Sequence, residues 1–412
     1  MPALPCVSVA FVANSPNNVL IVAVIAKRTY ELDSAGNVSI AEDQLKFLMP
    51  EEDDEGAPFP NLISDCDLYP VKLSTDVVVM GKVHAPKGVP TRRMRASVKV
   101  GSHEKVIEVF GDRTVAPYGD TISFTDPALF TSMDLTYARA YGGIDRSVPL
   151  PQVTQIEDLL DLIGRELTKR HPGMYPRNPS GTGYAVTGVA ASLEGLRLPN
   201  FEDPARLLTP DSLVVGKPQD WWKMPLPQGF GWFASGNYPR SLFLGGVPEF
   251  PPPDDLDVVE EVRMGLVSRG QSARVAGLEL HEVMDFRITN GAAPGLIVPD
   301  LVGDERVTLT GLSAAGDIEF TLPGDRPRVE VTYKARPLKV TVRLHTVLIE
   351  PERRRFSLVW GAYAPTPNGF PERIQTPEHP AWDELDGFEI RLDGDIVPHE
   401  PVNPFGPVAT SA

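Results

Sequence analysis

"KVTVRLHTVLIEP" (339–351) and "RFSLVWGAY" (355–363) decide the fold class. In the first, Val340, Val342 and Leu344 alternate with Thr341, Arg343 and His345, the period of a strand with one face buried. The charged residues between the two stretches read as a turn. "VEVTYK" (329–334) alternates in the same way, and "RVTLTGL", "DIEFTLPG" and "RVEVTYKA" are each bounded by glycine, proline or charge. Earlier in the chain, "NVLIVAVIAKRTYEL" (18–32) and "NVSI" (37–40) flank "DSAGN", which predicts a hairpin with a glycine free to turn left-handed. "TDVVVMGKVHAP" (75–86), "RRMRASVKVGS" (92–102) and "HEKVIEVFGDRTV" (103–115) read as one meander.

So many short strands predict a mainly β protein of antiparallel, sandwich- or barrel-like sheets. The expected division is an N-terminal β-rich sub-domain over 1–248, a C-terminal β sub-domain over 249–365, and a Pro-rich irregular tail over 366–412 with a short strand at 388–392. One short helical insertion stands out at 154–171. Thr154 and Glu157 form a capping box, Ile156, Leu159, Leu160, Ile163 and Leu167 form a stripe, and His171-Pro172-Gly173 ends it. "PEEDDEGAPFP" (50–60) and "EFPPPDDLD" (249–257) read as linkers.

Composition narrows the function classes. The 42 prolines outnumber the 35 glycines, which favours turns and edge strands over long helices. A net charge of −16 repels nucleic-acid phosphates and anionic lipids, so neither nucleic acid nor membrane is expected as a partner. Cys6 and Cys66 form no CxxC motif and suit a reducing compartment. The longest apolar run, "VLIVAVIA" (19–26), is too short to cross a bilayer and reads as a buried strand, so a cytoplasmic location is expected.

No catalytic constellation emerges. "NPSGTGYAV" (178–186) has the glycines of a phosphate cradle, but no lysine follows them as in a P-loop, and a strand rather than a helix comes next. It reads as a turn. The seven histidines are scattered, and His345 reads as a satisfied strand residue. "EEDDE" (51–55) lacks calcium-loop spacing, and Asp65 with Asp67 sits beside turn residues. The expectation is a protein without enzyme activity, cofactor or metal. "DWWKMPLPQGFGWFASGNYPR" (220–240) gathers Trp221, Trp222, Phe230, Trp232, Phe233 and Tyr238, rings that either cover a core edge or form a partner-binding surface.

Several strings in order resemble one bacterial family, domain of unknown function 2169. They are "LYPVKLSTDVVVMGKVHAP" (68–86), "VGSHEKVIEVFGDR" (100–113), "MDLTYARAYGG" (133–143), "NPSGTGY" (178–184), "RLPNFEDP" (197–204), "PQGFG" (227–231) and "LHTVLIEPERRRFSLVW" (344–360). The resemblance implies a role in type VI secretion, as an adaptor or chaperone that binds a secreted effector and helps mount it on the VgrG spike protein; the alternatives are a structural component retained on the spike or injection apparatus, and an enzyme of unrecognised type. It carries over no active-site residue. The 154–171 helix and the aromatic segment exceed what the family pattern leads one to expect.

Overall fold

The computed structural model describes residues 5–14, 20–53, 61–149, 171–235, 237, 240, 272–275, 278–281, 286–299, 301–366 and 388–397. The expected helix, apart from His171, and the expected boundary at 249–257 lie outside these residues.

The protein is mainly β, and its architecture rests on one seven-stranded sheet. Across it run Val7–Asn14, Leu20–Leu32, Arg355–Pro365, Thr341–Glu350, Thr75–Val79 and Ile297–Val298, with Val38–Ile40 hydrogen-bonded to Leu20–Leu32. Its pairs are antiparallel except that Thr75–Val79 runs parallel to Thr341–Glu350. A second sheet of five antiparallel strands takes Phe201–Glu202, His103–Phe110, Arg93–Val100, Arg306–Thr310 and Ile318–Thr321 in that order. A third has four strands, including Val329–Tyr333 and Phe388–Leu392, the latter being the short strand expected at 388–392. Among the described residues no sheet closes into a barrel.

The alternation read from the sequence sets how these layers stack. Along Leu20–Leu32 the even-numbered residues share one face. Val22, Val24 and Ala26 pack under the four-stranded sheet, against Val331, Ile390 and Leu392. Tyr30 and Leu32 on the same face meet the five-stranded sheet, in a core completed by Val77, Val79, Val98, Val109, Leu309, Phe320, Ile349, Phe356 and Leu358. The seven-stranded and five-stranded sheets each draw strands from before residue 248 and after residue 249, and residues of both stretches pack in one core.

The opposite face carries Ile21, Ala23 and Ile25, covered by Cys66, Leu68, Tyr69 and Val71 from an irregular segment. That face is also charged. Lys27 Nζ lies 2.7 Å from Asp67 Oδ2, and Lys72 Nζ lies 2.6 Å from Asp76 Oδ2, with all four side chains sealed from solvent. The Asp76 carboxylate further accepts hydrogen bonds from Asn290 Nδ2 and from the backbone N–H of Gly291 and Ala292.

The meander expected at 75–115 is corrected. Arg93–Val100 and His103–Phe110 do form a hairpin, but Thr75–Val79 belongs to the other sheet. All five of its residues are buried, as a strand covered on both faces requires, so its apolar run suits the middle of the large sheet. Glu51–Asp53, read as linker, pairs with Asn61–Ser64.

The glycine-rich turn proves to be a packing device. Tyr141–Gly142 of "RAYGG" runs parallel to Thr182–Gly183 of "NPSGTGY". A Cβ on Gly142 would enter Asn178, and one on Gly181 would enter both Asn178 and Ala140, so each motif is shaped to the other's backbone. Gly183 has φ +93°, and a Cβ there would come within 2.8 Å of Pro199 Cδ. Gly183→Val should therefore cost roughly 1–3 kcal/mol or more in urea unfolding, from left-handed strain plus the clash. An unchanged midpoint would contradict this account of the turn.

Candidate functional site

The aromatic segment is the first candidate to place. Relative exposure is 5% at Trp221, 0% at Phe230, 2% at Trp232 and 3% at Phe233, whereas Trp222 is half-buried. Tyr238 lies outside the described residues. Trp221 closes a second core with Tyr141, Tyr175, Tyr184 and Leu213, and the Arg177 guanidinium lies 5.2 Å from its ring centroid. Phe230 and Trp232 belong instead to the main inter-sheet core. These two uses explain the aromatic richness: the irregular chain has no periodic apolar face, and large rings fill its gaps. Trp221→Ala should lower stability by about 3–5 kcal/mol, the range for truncating a buried aromatic, while Trp222→Ala should cost far less. Urea unfolding of the two variants checks this; equal losses would sink the distinction.

Trp232 also lines a cleft of about 340 Å³ at the end of the Thr75–Val79 strand. Leu62, Ile63, Met80, Leu135 and Tyr137 form much of its wall, with Asp134 and Thr136 as polar neighbours. The chain reaches this point from several directions. Val79 N–H donates to the Phe230 carbonyl, Met80 N–H to the Ile349 carbonyl and Leu135 N–H to the Gly81 carbonyl, so the walls are fixed by backbone bonds. Two of the lining residues carry polar atoms that are sealed from solvent. Tyr137 Oη and Trp232 Nε1 are buried and have no hydrogen-bond partner among the described residues. Burial also pushes the Tyr137 phenol well above its ordinary range, so it stays a neutral hydroxyl.

Several buried charges elsewhere are paired, whereas Lys105 is buried with only the Pro294 carbonyl as acceptor among the described residues, and burial pushes its amine down to about 7. Asp65 and Asp67 point to different cations: Asp65 holds Arg240 at 2.7 Å and accepts from Tyr69 Oη, while Asp67 holds Lys27. They form no shared carboxylate dyad. Arg113 is bonded to Glu202 of the Phe201–Glu202 edge strand of the five-stranded sheet. Both cysteines are free, and burial pushes the Cys66 thiol up to about 12 and the Cys6 thiol up to about 11, so neither is a thiolate near neutrality. Among the described residues no group of three His, Cys, Asp or Glu side chains could hold a metal ion.

His345 departs from the expected satisfied strand residue. It sits in a bulge of the Thr341–Glu350 strand, between Leu344 and Thr346. Its ring lies where any Cβ on Gly361 would be, and neither ring nitrogen has a partner among the described residues. Burial, with Lys72 and Arg343 adding to it, pushes the imidazole down to about 3, so it is a neutral space-filler at physiological pH.

"NPSGTGYAV" offers no phosphate cradle. The N–H groups of Gly181, Thr182 and Tyr184 donate to the carbonyls of Asn178, Ala140 and Gly142. A phosphate would have to displace these bonds to use the loop.

The cleft itself was not legible as a site. Its residues are spread from Leu62 to Trp232, and the local signals at Val79, Met80 and Leu135 are those of ordinary strand and turn residues. A family model described as an uncharacterized protein conserved in bacteria (DUF2169) matches residues 17–361. No curated protein and no solved structure matches the chain.

Proposed function

The chain belongs to the bacterial DUF2169 family, and from that premise we propose that it is a non-catalytic adaptor or chaperone. It binds a type VI secretion effector and helps load it onto the VgrG spike protein. The observation that carries the reading is the composition of the cleft. Val79, Met80 and Gly81 come from "LYPVKLSTDVVVMGKVHAP", Asp134 to Tyr137 from "MDLTYARAYGG", and Gly231 from "PQGFG". Three of the strings that carry the family resemblance thus meet on one surface depression.

The chemistry of that depression suits a protein ligand. Its walls mix apolar side chains with Asp134 and Thr136, which supply polar groups along them, and Ile63 is 40% exposed at the rim. A partner side chain entering the cleft removes apolar surface from water, and this burial is the favourable contribution the cleft offers. Partner recognition then comes from shape, apolar contact and a few fixed polar groups on a rigid frame.

Ile63→Glu tests this, because the exposed position tolerates a carboxylate without loss of core packing. Tagged protein expressed in its native bacterium should co-purify with a spike protein and a toxin-like effector, and Ile63→Glu should lose both while its melting temperature stays within a few degrees of the parent. Recovery of neither protein with the parent chain, or full recovery with Ile63→Glu, would overturn the reading.

A further inference from the structure

The Thr75–Val79 strand has a second cavity at its other end. Thr341–Glu350 pairs with Arg355–Pro365 along its length, but with Thr75–Val79 only from Thr346 to Ile349. Residues 341–344 therefore border open space, a cavity of about 310 Å³. Leu344 and Trp360 line it from the core, and Leu73 and Val302 line it too, exposed by 43% and 60%.

The lining is cationic in an acidic protein. Lys72, Arg326 and Arg343 contribute to it, and no Asp or Glu does. The three cations differ in how far they are committed. Lys72 is held by Asp76 and by the Thr346 hydroxyl. Arg326 donates through Nη2 to the Val342 carbonyl at 2.5 Å and forms no ion pair among the described residues. Arg343 has neither a hydrogen bond nor an ion pair among the described residues, so its planar fork is available.

From this arrangement we infer that the cavity binds a carboxylate carried on an apolar body. A guanidinium holds a carboxylate through two parallel N–H···O bonds, and the Leu73, Val302, Leu344 and Trp360 walls accept an aliphatic group beside it. Size fits as well: the cavity lies near the lower end of small-ligand pockets, which span roughly 300–1,000 Å³. The strand edge argues for a chain end or a small acid over a peptide passing through. The outward carbonyls of Val342 and Leu344 are already taken by Arg326 and by the Thr75 hydroxyl, so the acceptors that an added strand would need are capped. Two sources supply such a ligand, the C-terminal residue of a polypeptide or a free organic acid. The inference stands independently of the adaptor reading.

Calorimetric titration of the full chain separates the possibilities. The probes are a short peptide ending in leucine with a free C-terminus, the same peptide amidated, 4-methylpentanoate and inorganic phosphate. The free-acid peptide should bind, and amidation or Arg343→Gln should each weaken it by roughly tenfold or more. Peptide binding tighter than 4-methylpentanoate identifies a polypeptide C-terminus, and equal affinity identifies a free acid; either supports the carboxylate site. Arg343 is exposed, so Arg343→Gln is expected to fold, and an unchanged melting temperature verifies that. Binding by neither acid, equal binding of the amide, equal affinity for phosphate, or indifference to Arg343→Gln would overturn the inference.

Discussion

Lys27 projects from the middle of the longest strand into a space where water cannot follow, and Asp67 meets it there. Removing an ammonium and a carboxylate from water costs several kcal/mol per ion, and their attraction offsets this only with good geometry and further hydrogen bonds. The site supplies the geometry and two further bonds, while Asp67 Oδ1 is buried without a partner among the described residues. Lys27 Nζ also donates to the Lys46 carbonyl, and Asp67 Oδ2 also accepts from Leu48 N–H. The same solution recurs at Lys72 with Asp76 and at Arg240 with Asp65. In each case the carboxylate lies between residues 65 and 76, and Asp67 and Asp65 reach cations far away in sequence. An irregular stretch that could bury little by periodicity is thus clasped to the sheet by charge. Breaking one such pair on one side leaves the other ion unpaired, a loss of about 3–5 kcal/mol.

Much of the remaining structure follows from that clasp. Asp76 opens the Thr75–Val79 strand and binds Gly291 and Ala292, which fixes the approach of the Ile297–Val298 edge strand. Arg240 donates to the Ile288 and Phe233 carbonyls, anchoring the end of the aromatic segment beside Trp232. The two cavities then fall at opposite ends of one five-residue strand, one lined without any Lys or Arg and one lined by three cations. The clasp therefore sets the walls of both.

The strands were legible because alternation is a local signal: 20–32, 93–110 and 341–365 could be read residue by residue. Their partners were not. Thr75–Val79 reads as one more strand of a meander, and its pairing with Thr341–Glu350 and Ile297–Val298, with all five residues buried, shows that it lies inside the large sheet. The buried pairs were invisible for a related reason. Lys27 and Asp67 are 40 residues apart, Arg240 and Asp65 are 175 apart, and each looks locally like a solvated surface charge. His345 kept its place in the alternation on paper, while the bulge that turns its ring toward Gly361 depends on the neighbouring strand. The aromatic segment was conspicuous, yet composition could not say which ring enters which core. The cleft was hidden most deeply, being assembled from four separated stretches of ordinary strand and turn.

The central claim is that residues 65–72, though irregular, open only together with the sheet they cover. Native-state hydrogen exchange measures this directly. Amides with defined internal acceptors, such as Asp67 N–H on the Leu48 carbonyl and Leu68 N–H on Cys66 Sγ, are compared with those of Leu20–Leu32 and Arg355–Pro365. The account predicts the same opening free energy for both groups. Exchange of the 65–72 amides faster by roughly a hundredfold or more, with the strands still protected, would show a loosely held cover and contradict it.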